Sequence, residues 1–176
     1  MLIILGGLPG TGKSSIARSL AHVLKAVYLR IDTIEQALRT CGTVVPDVRI
    51  EGYVIAHAVA AENLRNGATV IADSVNPLQI TRDAWLAVAM KAGVQGVEVE
   101  IICSDPHEHR QRIGTRSSDI AGLRLPPWQS VQAREYHPWN RPHVIVDTAA
   151  RTMEESVMEL LTRLPARQSP RDLKSA

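Results

Sequence analysis

The sequence predicts an α/β protein organised on an open parallel sheet, and three observations lead there. The 176-residue chain is 45% hydrophobic yet has no Phe and few aromatics. Its core must therefore come from Val, Ile, Leu and Ala, the composition of buried parallel strands covered by helices. Short β-prone apolar runs alternate along the chain with segments of helical periodicity, the order that builds such sheets. The first of these runs, Leu2 to Leu5, leads directly into Gly7-Leu8-Pro9-Gly10-Thr11-Gly12-Lys13-Ser14, and a helical stretch follows.

That octapeptide satisfies G-x-x-x-x-G-K-[ST] at every fixed position and reads as a phosphate-binding P-loop. Backbone amides can surround a phosphate only if the chain curls tightly, and glycines at 7, 10 and 12 permit the curl. The candidate nucleotide contacts are Gly7, Gly10, Thr11, Gly12, Lys13, Ser14 and Ser15. Lys13 reaches the outer phosphates, the Ser14 hydroxyl ligates magnesium, and the helix opening at about Gly12 adds the positive end of its dipole. ATP and Mg2+ are the expected cofactors.

The chain has the length of one domain with one substantial core. Twenty basic residues stand against 18 acidic ones, a net charge of +2. No whole-molecule field holds such a chain on nucleic acid or an anionic membrane, so any anion binding must be local. Cys41 and Cys103 lack zinc or C-x-x-C spacing and read as plain buried thiols. The apolar N-terminus lacks a basic leader region, no segment has the length of a membrane span, and a cytoplasmic protein is expected.

In chain order, Ser15 to Lys25 places Ile16, Leu20, Val23 and Leu24 at helical spacing, with His22 on the surface. Ala26 to Ile31 is a short strand ending in Asp32, and Thr33 to Thr40 resumes a helix. Two roles are open to Asp32. It can face the phosphate end of a nucleotide, since ligands of parallel sheets bind at the carboxyl ends of the strands. It can also cap the helix, with Glu35 three positions on completing a capping box.

A Gly-Thr-Val-Val-Pro segment at 42–46 separates that helix from a longer one, Val48 to Asn66, near whose start Arg49 and Tyr53 could touch a substrate. Ala68 to Ala72 is an apolar strand ending in Asp73-Ser74-Val75-Asn76-Pro77. A carboxylate at this place beside a P-loop reads as a partner of the magnesium. Pro77 to Ala92 is an amphipathic helix with Ile80, Ala84, Trp85 and Val88 on one side, and Val97 to Cys103 is a fourth strand.

Asp105-Pro106 opens a helix carrying His107, His109, Arg112 and Arg116. The two arginines are spaced i,i+4 and could clamp a triphosphate from one helical face. The two histidines point to different faces and are discounted as metal ligands. Ser117 to Pro127 has loop composition and is the candidate lid. Trp128 to Tyr136 can form a helix, His143 to Asp147 is the fifth strand, and Met153 to Leu164 is a closing helix. The domain thus runs over 1–164 with a lid around 112–127, and 165–176 has the composition of a disordered tail.

With these pieces placed, the sequence resembles the P-loop kinases of small molecules and polynucleotide ends, a group that includes gluconate kinase, chloramphenicol phosphotransferase and the polynucleotide 5'-hydroxyl kinase domain. The resemblance rests on the P-loop, on Leu29-Arg30-Ile31-Asp32, on Ile71 to Pro77 and on Arg112-x-x-x-Arg116, and spans nearly the whole chain. It implies a three-layer sandwich around a five-stranded parallel sheet of order 2-3-1-4-5. It also implies that Asp32 takes a proton from an acceptor hydroxyl. The expected activity is transfer of the γ-phosphoryl group of Mg-ATP to a hydroxyl of a small molecule. Lys13, Asp32, Arg112 and Arg116 would be catalytic, and Ser14 and Asp73 would serve the metal.

A polynucleotide 5'-hydroxyl kinase is one alternative, disfavoured because the chain lacks a basic channel for a strand. A P-loop hydrolase or switch is another, but such proteins place a water-activating Glu directly after the strand-end Asp, where this chain has Ser74. The expected partners are ATP and a small hydroxylated acceptor, without a membrane, in a monomer or homodimer.

Overall fold

The computed structural model describes residues 1–42 and 50–166. The connection through Pro46, the residues Val48 and Arg49, and the tail beyond Ala166 lie outside the described residues. Five strands form one all-parallel sheet: β1 (Leu2–Gly6), β2 (Val27–Arg30), β3 (Val70–Asp73), β4 (Gly96–Ile102) and β5 (Val144–Asp147). Their order is β2-β3-β1-β4-β5, as the resemblance implies. The helices are α1 (Lys13–Leu24), α2 (Ile31–Thr40), α3 (Glu51–Arg65), α4 (Gln79–Lys91), α5 (Pro106–Thr115), α6 (Trp128–Gln132) and α7 (Met153–Arg163).

The period-2 alternation of the strands divides the core in two. Ile3, Leu5, Ile71, Val99 and Ile101 face α1 and α7, where Ile16, Leu20, Val157 and Leu160 meet them. Leu2, Ile4, Val70 and Ala72 face α3 and α4, where Ala56, Ala60, Leu64 and Trp85 meet them. Burial of both strand faces is why these strands read as unbroken apolar runs.

On α3 the buried face is Gly52, Ala56, Ala60 and Leu64, one residue per turn. Small residues let the helix lie close to its neighbours, and the larger Val54, Ile55 and Val59 point outward. Ile80 and Val23, expected on buried faces, are also exposed. Cys41 is exposed at the end of α2 and Cys103 is half-buried, so neither is the fully buried thiol expected from the sequence.

The helix expected over 128–136 ends at Gln132, and the chain from Tyr136 to His143 runs as a strap across the α4 side of the sheet. Fully buried Arg82 of α4 holds it, donating to the carbonyls of His137 and Pro138 at 3.0 and 3.2 Å and lying over the Trp139 ring. Trp139 packs so close to Gly6 that a Cβ there would stand 2.7 Å from the ring. Beneath the strap, Glu100 accepts from the Tyr136 hydroxyl, and Glu98 is held by both arms of Arg141. These pairings explain the charged alternation in β4: its glutamates face a polar strap instead of solvent.

Candidate functional site

The five strands run parallel, so the turns after β1, β2 and β3 gather at one end of the sheet, and the registers Leu5 to Asp73 and Arg30 to Asp73 bring their last residues side by side. A cavity of about 1070 Å³ opens there, lined by the P-loop, the start of α2, the turn after β3 and the loop over 117–126.

Contact fixes the P-loop. Gly7 takes φ 131° with the Ile101 carbonyl so near that a Cβ would sit 2.1 Å from its oxygen, and at Gly10 a Cβ would sit 2.5 Å from Ile113. Gly12 caps α1 in a left-handed conformation at φ 93°. From outside, Thr148 donates to the Thr11 carbonyl at 3.0 Å, and the Asn76 amide donates to Leu5 O at 2.7 Å. His109, buried against the edge of Trp128, lies with Nε2 2.8 Å from the Pro9 carbonyl; a carbonyl can only accept, so Nε2 carries the proton. His109 is thus a prop beneath the P-loop.

Lys13 is buried at the foot of the cavity, its Nζ donating to Leu8 O at 3.1 Å. Burial lowers its pKa, and the nearby carboxylates of Asp73 and Asp32 act against that shift. Gly12, Lys13, Ser14 and Ser15 all line the cavity, Ser14 half-buried and Ser15 exposed. Asp73 is 3% exposed, and both contacts that hold it fall on Oδ2: the Tyr28 hydroxyl at 2.7 Å and Arg30 Nε at 3.9 Å. Burial of the phenol, with the Asp73 carboxylate beside it, drives the Tyr28 pKa far up, so the phenol stays a donor. Ser14 and Asp73 supply two hard oxygens, which suits magnesium, an ion that takes one or two protein ligands and fills the rest from phosphates and water. No larger cluster of His, Cys, Asp or Glu fit for a metal occurs among the described residues.

Asp32 belongs to α2, not to a cap. The chain passes from β2 into the helix without a loop, buried Ile31 is its first residue, and Arg30 occupies the N-cap position without a side-chain bond. Glu35 does not reach back but pairs with Arg39 at 3.1 Å. The capping-box reading is therefore corrected. The Asp32 side chain is half-exposed, lines the cavity, and has Arg30 Nε at 3.8 Å.

The two arginines singled out from the sequence part ways. Arg112 is fully engaged: its guanidinium bonds Glu108 at 2.5 Å and the hydroxyl and carbonyl of Thr148 at 2.8 Å each, tying α5 to the turn after β5. Arg116 lies beyond the end of α5 in extended backbone, so the pair does not share a helical face. Its Nε is buried without a partner, a single 3.4 Å bond runs from Nη2 to Pro126 O, burial lowers its pKa, and Asp32 acts on it from nearby.

Three cavity residues, Asp119, Gln36 and Arg134, had no sequence signal. Asp119, in the loop read as a lid, accepts from Arg18 at 2.7 Å and from Arg30 at 2.8 Å, while Gln36 donates to Ala121 O at 3.2 Å and pins the same loop to α2. Arg134, just past α6, lines the cavity and acts electrostatically on both Lys13 and Glu35. Tyr53 lines it too, whereas Tyr136 and Trp139 belong to the strap and leave the cavity alone.

The chain is similar to known proteins over most of its length. A family model described as AAA domain matches residues 2–123. A shikimate kinase of Corynebacterium glutamicum is 26% identical over 170 residues, covering 87% of this chain and 96% of that protein. A gluconokinase of Sinorhizobium meliloti 1021 has the same fold with a TM-score of 0.64 at 18% identity, covering 91% of this chain and 89% of that one. The APS kinase of Mycobacterium tuberculosis in complex with AMPPNP and APS superposes with a TM-score of 0.56 at 19% identity, covering 92% and 95%. No helix among the described residues is long and apolar enough to cross a membrane.

Proposed function

The chain belongs to the AAA domain family, and from that premise we propose that it is an ATP-dependent kinase that moves the γ-phosphoryl group to a hydroxyl of a small molecule. One observation carries the reading. A half-exposed carboxylate, Asp32, opens into the same cavity as the buried P-loop lysine, while the position after the strand-end Asp73 is a serine, without the acid a hydrolase would use on water. The likeness to kinases of shikimate and gluconate supports it, as does the AMPPNP held by the APS kinase.

Phosphoryl transfer depends on positioning and charge neutralisation more than on covalent chemistry. The P-loop amides and Lys13 hold the outer phosphates. Ser14 and Asp73 would hold magnesium, which would supply charge neutralisation to the phosphates. Asp32 orients the acceptor hydroxyl and takes its proton, which leaves late in a loose transition state. Arg116 faces the charge that develops on the transferred group. Arg112 acts one step back, bracing the turn whose Thr148 holds the P-loop, and its role is positioning.

The test is ADP release from Mg-ATP with and without a panel of sugars, sugar acids, nucleosides, antibiotics and 5'-hydroxyl oligonucleotides. One acceptor should raise turnover, and Asp32→Ala should remove that increment while nucleotide still binds; Lys13→Ala should lose turnover altogether. Acceptor-independent turnover that survives Asp32→Ala would overturn the reading.

A further inference from the structure

We infer that Trp139, which lies outside the cavity, is a positioning residue of the phosphate site: its ring fixes the turn that carries Asp73 against the strand that enters the P-loop. The inference rests on the kinase reading, in which Ser14 and Asp73 would serve one magnesium ion.

A glycine that the P-loop does not require is the first ground. Gly6 ends β1 and is not a fixed position of the P-loop pattern. It lacks the positive φ of Gly7, Gly10 and Gly12, so its backbone makes no demand for glycine. What excludes a side chain there is Trp139. A Cβ on Gly6 would stand 2.7 and 3.2 Å from two carbons of that ring, with Asn76 Cβ next at 3.6 Å. The ring thus takes the place of a Gly6 side chain, over the junction between β1 and the turn after β3.

That junction is the second ground, because it sets Asp73 against the P-loop. Leu5 is in register with Asp73. Beyond them the Gly7 amide donates to Val75 O at 3.0 Å, and the Asn76 side chain donates to Leu5 O at 2.7 Å. Asn76 is fully buried at φ 45°, a left-handed conformation that surrounding contacts must hold. The strap reaches both sides of the junction: the His137 amide donates to Pro77 O at 2.8 Å, and Trp139 covers Gly6.

The ring is itself held on several sides. Its Nε1 donates to the Tyr136 hydroxyl at 3.1 Å, which donates in turn to Glu100, the β4 residue in register with Gly6. His143 stacks on it at 4.4 Å with the planes 21° apart, and Arg82 lies over it at 4.5 Å. Burying the Arg82 guanidinium costs solvation that an apolar side chain would keep. A satisfied polar network instead rigidifies and specifies one arrangement. Rigidity matters here because magnesium takes only near-octahedral geometry, with oxygens at about 2.0–2.1 Å. Ser14 and Asp73 follow different strands, so their relation depends on how the junction is held.

The test reads metal dependence and local opening apart from turnover. Calorimetry of the full chain with AMPPNP, in magnesium and in EDTA, gives the affinity that magnesium adds. Trp139→Leu should cut that gain ~10-fold, the scale of outer contacts to metal ligands, while metal-free affinity stays within about 3-fold. Trp139→Phe, which keeps a flat ring over Gly6, should restore most of it. Trp139 is half-buried, and thermal unfolding checks that both variants fold. As a control, Val157→Ala opens a cavity on the opposite face of the sheet and should lower thermal stability without changing the gain. Without nucleotide or metal, the Gly7 amide should exchange with solvent at least ~10-fold faster in Trp139→Leu, and the amides of α7 at the wild-type rate. Equal losses with and without magnesium, an equal loss in Val157→Ala, an unchanged Gly7 amide or a uniform rise in exchange overturns the inference, as does a wild type whose affinity magnesium does not raise. A gain that behaves as expected in a chain without acceptor-dependent turnover supports the inference and sinks only the kinase reading.

Discussion

The two ends of the cavity are built by opposite means. At the P-loop, geometry comes from backbone: three glycines at positive φ, a carbonyl 2.1 Å from where a Cβ would be, and props from Thr148, Asn76 and His109. At the end proposed for the acceptor, geometry comes from side-chain ion pairs such as Asp119 with Arg18 and Arg30, and Glu35 with Arg39, several of them half-exposed. Exposed pairs are individually weak and rearrange readily, whereas close-packed backbone does not. The nucleotide end is therefore suited to invariant chemistry, and the acceptor end to closing on a substrate and to change of specificity.

Substitutions can break that contrast. The largest effect should come from Gly7→Ala, which forces a methyl group into the Ile101 carbonyl at a backbone angle few other residues adopt. It should cost about 2 kcal/mol or more in urea denaturation and abolish nucleotide binding. Asp32→Asn should do the reverse, leaving stability nearly unchanged because the side chain is half-exposed, while acceptor-dependent turnover falls roughly 10²- to 10⁴-fold. If Asp32→Asn unfolds the chain instead, the two ends are not built differently.

Smaller changes sharpen the comparison. Tyr28→Phe removes the donor to Asp73 without altering shape, and the magnesium dependence of turnover should weaken by roughly 10- to 100-fold, the worth of one hydrogen bond to a charged group. Asp119→Asn should loosen the loop over 117–126 and raise acceptor-independent ADP release about 3-fold, a change on the scale of an exposed ion pair. The hydrogen bond from Arg30 holds the Asp119 carboxyl below its usual range. That contact is therefore complete above the ordinary carboxylate pKa and lost as pH falls through the lowered value. Acidification should bring the wild type toward the variant, and a difference between them that persists unchanged at low pH would contradict this role for the Asp119 carboxylate.

What was legible in the sequence follows the same division. The P-loop, the strand-end Asp73 and the sheet order could be read because local spacing, or a family pattern of local motifs, carries them. The start of α2 was misplaced because propensity favours Asp32 as a cap, whereas burial of Ile31 against α3 and α4 draws the helix two residues into the strand end. The i,i+4 spacing of Arg112 and Arg116 promised a shared face, but the helix ends between them. The pairing of Asp119 with Arg18 and Arg30 had no signal, since it joins segments up to 101 residues apart in the chain, and nothing local marked Arg134 as a cavity residue. His109 carried no signal of its role: its spacing from His107 was discounted as a metal site, and only the fold reveals the Pro9 carbonyl as its partner.

The most direct measurement of the central claim follows the γ-phosphoryl group itself. Turnover is run in oxygen-18 water with an acceptor that stimulates ADP release, for the wild type and Asp32→Asn, and the products are read by mass spectrometry. Transfer to the acceptor predicts a phosphorylated product free of solvent oxygen, formed in step with ADP and lost in Asp32→Asn. Free phosphate bearing one solvent oxygen, equal to all the ADP and unaffected by Asp32→Asn, would show that water is the true acceptor and contradict the account.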